Sequence, residues 1–456
     1  MGKLKRKTIG SLLTIAMIAP AAVPAQALNT PPHTIQAQAH QKASTLKQVK
    51  RPEEAGFSSF GLKKVDKLIQ DEIIQGFPGA ALIVIKDGKI VKNEAYGYKK
   101  KYTGLALLER PEKMKRDTLF DLASNTKMYA ANFALQRLVS EGKINLEDKI
   151  QTYIPEFRDQ ETDVIKGKNT LRIIDVLHHT AGFPPDPQYH NPNVSKNLFS
   201  QDRDLTIKMI SRTPLTYQPG TKNIYSDVDY MLLGTIIEKV TGKQLDEYVE
   251  KHLYKPLGLK NTVFNPLLKG FKPKDAAATE LMGNTRDGVI DFPNIRKYTL
   301  QGEVHDEKAF YSMGGVSGHA GLFSNTRDMA VLLQTMLNGG SYGNQQLFSQ
   351  KTAKEFVQPS PMNPTYGLGW RLNGNESMEW MFGPYASDTA FGHTGWTGTV
   401  TILDPKYNLG IVLLTNKKHS PLADPASDSN TFQGDQFQTG KYGSVVTAVY
   451  EAMLKK

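Results

Sequence analysis

Three short clusters in this chain have residue types and spacing suited to nucleophilic acyl chemistry. The first is Ser124-Asn125-Thr126-Lys127, at the start of a long apolar helical pattern. Residues three apart share a helix face, so the ammonium can approach the hydroxyl. A serine hydroxyl is a weak nucleophile until an adjacent base or cation prepares it. A helix N-terminus adds partial positive charge and free N–H groups for an oxyanion. The same spacing recurs at Ser44/Lys47 and Ser140/Lys143, but neither has a strand before it and an apolar helix after it. The second cluster is Tyr225-Ser226-Asp227, after Gln218-Pro219-Gly220. Taken alone, it reads equally well as a buried tyrosine and an aspartate helix cap. The third is His393-Thr394-Gly395, which alone reads as a hairpin with a structural glycine. Order carries more than any single cluster: Tyr225 follows Ser124 by 101 residues, and His393 follows Tyr225 by 168.

The elements that must position these residues can be read from periodicity. Leu62 to Gln75 has apolar residues at helical spacing. Gly79 to Tyr98 reads as a hairpin turning at Asp87-Gly88. Thr118 to Leu122 is short and apolar and leads into the helix that Gly142 ends. Leu171–Leu177, Val228–Val240, Leu245–Leu253 and Asp328–Leu337 read as helices, whereas residues 260–312 are irregular and rich in Gly, Pro and Asn, the mark of a functional loop. Strands return at Tyr366–Leu372, Gly398–Leu403 and Gly410–Thr415, and Ser444–Leu454 suits a closing amphipathic helix. The fold class expected is α/β (α+β): an antiparallel sheet built from both chain ends and flanked by helices, with a mainly helical lobe inserted at about residues 125–330.

Composition sets the boundaries. The chain has 456 residues, 39% hydrophobic and 22% charged, which is ordinary globular composition. It has no cysteine. That excludes disulfide scaffolds, thiolate metal sites and a cysteine nucleophile. No His-x-x-x-His, P-loop or dinucleotide fingerprint occurs, so neither a metal nor a cofactor is expected. The formal charge is +11. Its one aromatic-flanked basic run, Tyr98-Lys99-Lys100-Lys101-Tyr102, reads as a solvated loop, and no nucleic-acid partner is expected. An anionic wall polymer is the milder partner for such a surface. Residues 1–27 read as a cleavable secretory signal: basic Lys3 to Lys7, apolar Ile9 to Ala22, then Ala25-Gln26-Ala27. Residues 28–51 read as a flexible leader, and 52–456 as the folded domain. An exported or wall-associated protein is therefore expected.

Taken together the three clusters resemble the serine hydrolases of the class C β-lactamase and penicillin-binding-protein superfamily, over roughly residues 52–456. Leu177-His178-His179-Thr180-Ala181-Gly182-Phe183, Tyr217-Gln218-Pro219-Gly220 and Tyr366-Gly367-Leu368-Gly369-Trp370 support it. The resemblance implies that Ser124 accepts the acyl group, Lys127 eases its deprotonation and Tyr225 carries the proton to the leaving group. It implies an oxyanion hole from the N–H groups of Ser124 and Trp396, with His393, Thr394 and Gly395 along the substrate. Two residues depart from the pattern. His393 stands where drug-hydrolysing members have lysine, so little β-lactamase activity is expected, and His393→Lys is expected to favour anionic β-lactams. Asp227 replaces the usual asparagine, which argues that Lys127 works as a cation.

One further block narrows the resemblance. Glu303-Val304-His305-Asp306 is followed by Met313 to Ser324, with four glycines between Gly314 and Gly321. Those glycines suit a close backbone approach to a ligand, or a tight structural loop. The block resembles the exported subgroup that includes the N-acetylmuramoyl-L-alanine amidase of muropeptide recycling, some of whose relatives are labelled DD-carboxypeptidases. It implies a small muropeptide substrate, with His305 and Asp306 as hydrogen-bonding groups in a sugar-accepting cleft. The competing readings are a DD-carboxypeptidase or esterase of the same family, and a non-catalytic penicillin- or wall-binding protein. The intact Ser124, Lys127 and Tyr225 favour an enzyme.

Overall fold

The computed structural model describes residues 43–455. The signal-peptide reading lies outside them, as does the leader up to residue 42. The rest of the stretch read as leader is tied down: Leu46 is buried, and β1 (Lys47–Gln48) pairs in parallel with Lys89–Ile90.

Among the described residues the main sheet has eight strands. In chain order they are β1, β2 (Gly79–Lys86), β3 (Lys89–Thr103), β4 (Ala106–Lys113), β5 (Arg371–Leu372), β6 (Phe391–Gly395), β7 (Thr399–Asp404) and β8 (Leu409–Thr415). Their spatial order is β1-β3-β2-β8-β7-β6-β5, with β4 paired to β3. The seam between the two chain ends is β2 against β8, antiparallel, with Ala81 opposite Leu414 and Ile83 opposite Val412. Every residue of β8 is buried, and all of β2 except Lys86. Strands covered on both faces read as continuous apolar runs, and the two-residue period sorts their side chains. Ala81, Ile83, Ile85, Val412 and Leu414 face the core shared with the helical lobe. Ala80, Leu82, Val84, Ile411 and Leu413 face the helices Ser59–Gln75 and Gly443–Leu454. Those two terminal helices meet so closely that a Cβ on Gly61 would lie 2.6 Å from Ala452 Cα.

The lobe between the sheet halves carries the helices Phe133–Ser140, Arg203–Arg212, Asp227–Thr241 and Thr326–Leu337. A small sheet joins Phe120–Asp121 and Val263–Phe264 to Leu322–Ser324. The basic run Lys99 to Lys101 is strand and not a solvated loop. It continues β3, where Tyr98 and Lys100 register with Lys113 and Glu112 of β4. The Lys101 and Tyr102 N–H groups both donate to His419 Nε2. No helix among the described residues is long and apolar enough to cross a membrane.

Candidate active site

Ser124 sits at the mouth of the helical run that continues into Phe133–Ser140, with a wider π-type turn over Lys127–Asn132. Such turns cluster at functional sites. The residue before the serine, Ala123, has a left-handed φ of 45°. For an L-residue with a Cβ this costs on the order of 1–2 kcal/mol, and its surroundings hold it there. Asp121 Oδ1 accepts from the Ala123 N–H at 2.8 Å, and Asp121 Oδ2 from the His305 N–H at 2.6 Å. The turn after β6 is stitched to the same segment: Thr397 Oγ1 donates to Asp121 O, Thr399 Oγ1 to Leu122 O, and the buried Asn125 amide lies 2.9 Å from Thr399 Oγ1. Two N–H groups at this junction, those of Ser124 and Trp396, donate to nothing among the described residues. Free donors at a helix mouth are what an oxyanion needs.

The Lys127 side chain is fully buried. Its ammonium has three N–H donors and three partners: Ser124 Oγ at 2.9 Å, Asp227 Oδ1 at 2.8 Å and the His319 carbonyl at 3.2 Å. Burial opposes its charge, but the Asp227 carboxylate outweighs burial and raises its pKa. Lys127 is therefore a cation aimed at the serine, as the aspartate in place of asparagine implied. Ser226 caps the helix Asp227–Thr241 by accepting from the Val228 N–H. Asp227 is thereby relieved of capping, and its second oxygen lies 3.2 Å from Lys308 Nζ.

Tyr225 is half-buried between two cations. Lys127 Nζ lies 4.9 Å from its ring centroid and the Arg371 guanidinium 5.5 Å. The His179 ring backs it at 4.7 Å, itself fixed by Asp229 at 2.6 Å. Burial, then Lys127, brings the His179 pKa down to about 3, so it is a neutral wedge.

The third cluster closes β6, directly before Trp396, which lines the cavity beside Ser124. His393 is buried, its Nδ1 2.7 Å from the Thr394 carbonyl, and its ring is 6.0 Å from that of Tyr225. Burial, followed by the charges of Arg371 and Lys127, drives its pKa well down. It is neutral, and it is not among the residues that line the cavity beside Ser124, nor are Thr394 and Gly395. The glycine of this cluster serves packing, since a Cβ on Gly395 would sit 2.2 Å from Leu122 O. Burial adds a cost to His393→Lys. A lysine ammonium here, beside the buried Lys127 and the half-buried Arg371, has no carboxylate to meet it, so we expect destabilisation by about 3–5 kcal/mol in urea unfolding. An unchanged unfolding midpoint with faster β-lactam acylation would contradict this.

The cavity beside Ser124 has a volume of about 280 Å³ and is lined by Tyr225, Asp227, Arg286, His305 to Lys308, Trp396 and Thr397, among others. The irregular stretch 260–312 therefore does supply a wall. His305 and Asp306 come to the site in different ways. Neither ring nitrogen of the buried His305 has a hydrogen-bond partner, although Nε2 lies 3.3 Å from Glu280, and the ring packs at a tilt against Trp396 at 4.8 Å. Asp306 is already engaged: Oδ1 meets His319 Nε2 at 2.9 Å and the Ala309 N–H at 2.8 Å, and Oδ2 meets Lys308 at 3.4 Å. Asp227, Asp306 and His319 offer ligand-type atoms within 4.8 Å of one another. The Lys308 ammonium already bridges the two carboxylates, so this is a salt-bridge cluster. In the Gly314–Gly321 block, Gly318 gives helix contact and not ligand contact: a Cβ there would lie 2.1 Å from Tyr230 O. Sequence reasoning missed Asp121, Asn125, Arg286, Lys308 and Arg371. Of these Asn125 lay inside the first cluster, and Arg371 directly after Tyr366-Gly367-Leu368-Gly369-Trp370; the others carried no hint.

A serine held by a buried charged lysine, a tyrosine between two cations and a pair of free N–H groups define a serine hydrolase. The comparisons give the same class: residues 65–434 match the family model described as Beta-lactamase, and the chain belongs to that family. It is 65% identical over 401 residues to "N-acetylmuramyl-L-alanine amidase" of Bacillus subtilis strain 168, covering 88% of this chain and 91% of that one. It is 60% identical over 405 residues to "Putative D-alanyl-D-alanine carboxypeptidase" of Escherichia coli K12, covering 89% and 93%. Among solved structures it shares its fold with D-amino acid amidase from Ochrobactrum anthropi SV3, at 20% identity and a TM-score of 0.60 over 87% of this chain and all of that one.

Proposed function

We propose that the protein is an exported amidase. It would cleave the bond between the lactyl group of N-acetylmuramic acid and L-Ala in small, soluble wall fragments, through an acyl-enzyme. The observation that carries the reading is the cavity wall facing Ser124. There His305, Asp306 and Arg286 line the cavity beside Trp396, a polar wall suited to a hydroxyl- and amide-bearing acyl group. The name of the Bacillus relative points the same way. On the other side of Tyr225, Arg371 has no carboxylate partner among the described residues and rests on Tyr225, Tyr366 and Trp380. A free guanidinium there suits the carboxylate of a departing amino acid.

In this reading Ser124 Oγ attacks the lactyl carbonyl while Tyr225 takes its proton. The Ser124 and Trp396 N–H groups hold the oxyanion. The C–N bond breaks as Tyr225 hands the proton to the L-Ala nitrogen. Water then attacks the acyl carbon while Tyr225 takes its proton, and Tyr225 returns that proton to Ser124 Oγ as the C–O bond breaks and the acid leaves.

The second reading is a DD-carboxypeptidase, favoured by the name of the Escherichia coli relative. It also releases an amino acid with a free carboxylate and differs on the acyl side. Incubation with MurNAc-L-Ala and with a peptide ending in D-Ala-D-Ala, followed by mass spectrometry, separates the two. Free MurNAc is expected. Release of D-Ala with no free MurNAc would replace the amidase by the carboxypeptidase.

A further inference from the structure

Behind Ser124 the charged groups close into a ring. Lys127 Nζ bonds Asp227 Oδ1 at 2.8 Å. Asp227 Oδ2 lies 3.2 Å from Lys308 Nζ, which lies 3.4 Å from Asp306 Oδ2. Asp306 Oδ1 meets the His319 ring at 2.9 Å, and the His319 carbonyl returns to Lys127 at 3.2 Å. His319 is fixed in turn by Ser317 Oγ at 2.7 Å from Nδ1. Lys308 also reaches out of the ring to the half-exposed Asp186 at 2.5 Å. Only one direction of the Lys127 ammonium is left for the nucleophile, and the ring sets that direction.

We propose that Lys308 is a positioning residue for the nucleophile: by holding the second oxygen of Asp227 it keeps the first oxygen on Lys127, and so keeps Lys127 on Ser124. The proposal rests on Ser124 being the nucleophile, but not on any particular wall fragment. Without Lys308, Asp227 and Asp306 would face each other with Lys127 and His319 as their remaining partners. Two like charges at that range oppose ionisation. Asp227 would then take up a proton at a higher pH, turn its carboxyl and release Lys127. The charged and titratable groups around the pair are Lys127, Asp186, Asp306, Glu307 and His319, with Tyr225, Tyr189 and His190 close by. Lys127 and Lys308 hold Asp227 ionised against its burial and against Asp306.

The test uses the rate at which a fluorophosphonate probe labels Ser124, followed from pH 4 to pH 9 in the full protein. This readout needs no knowledge of the natural substrate, so it stands apart from the amidase assay. Lys308→Met is expected to slow labelling at pH 7 by about 30-fold or more, on the scale of a displaced positioning group. It should also move the acid limb upward by at least about one pH unit, because Asp227 loses a neighbouring cation. Lys308→Arg, which restores the charge, should recover most of the rate. Recovery with the charge-restoring Arg, together with the upward shift in Lys308→Met, distinguishes a ring from a packing role. Lys308→Met labelling at the wild-type rate with an unmoved acid limb would overturn the proposal. If Lys308→Met does not fold, Lys308→Gln takes its place, and labelling by it at the wild-type rate with an unmoved acid limb would overturn the proposal equally.

Discussion

Ser124→Ala is expected to keep the fold and lose turnover by ~10⁴-fold or more, the size of effect seen when a nucleophile that works as part of a unit is removed. The structure explains why the loss should be so large. The other parts of the unit have no second oxygen to prepare: Lys127 is committed to Asp227 and the His319 carbonyl, and the free N–H groups of Ser124 and Trp396 only stabilise what the hydroxyl begins. Removing Oγ leaves one buried Lys127 N–H without its acceptor, which should cost about 1–3 kcal/mol of stability. Thermal unfolding should therefore show a lower but cooperative transition. Activity above about one per cent of wild type in that variant would move the nucleophile elsewhere, since removal of a unit member costs orders of magnitude more.

Tyr225→Phe should fall by ~10²–10⁴-fold in kcat, the range of a lost proton-transfer group, with KM nearly unchanged. Only the hydroxyl is lost. The ring keeps its packing against His179 and its place between Lys127 and Arg371. No neighbouring base stands ready to replace it. Burial, with the charges of Lys127 and Arg371, lowers the pKa of both nearby histidines, His179 and His393, and makes them weak bases. A Tyr225→Phe enzyme running near the wild-type rate would require another proton carrier and would end the present assignment.

What could be read in the sequence was what is local. Ser124 and Lys127 are one helical turn apart, and Tyr225 and Asp227 flank a single capping serine, so their geometry follows from short-range structure. The strands β2 and β8 announce themselves because both faces are covered. By contrast β4 is half-exposed and contains Arg110-Pro111. Its pairing with the basic stretch of β3 leaves little pattern, which is why that stretch read as a loop. Lys308 and Arg371 are far along the chain from the residues they serve: Lys308 meets Asp227 and Asp186 across 81 and 122 positions, and Arg371 meets Tyr225 across the inserted lobe. No spacing rule links such pairs. His393 shows the opposite failure. Its place in the chain was legible, but its neutral state depends on burial within the paired strands and on the charges of Arg371 and Lys127.

The seam between β2 and β8 also governs the order of assembly. Residues 79–86 leave the ribosome more than three hundred positions before their partner at 409–415, and the first long helix waits still longer for the last. Pairings this distant in sequence are slow to find and expose apolar edges meanwhile. The N-terminal half of the sheet therefore emerges as a bare hairpin that must be kept from aggregating until the chain is almost finished. A truncation before residue 415 removes the strand on which that hairpin closes, and with it the route to a native sheet, even though Ser124, Lys127 and Tyr225 all remain in the fragment.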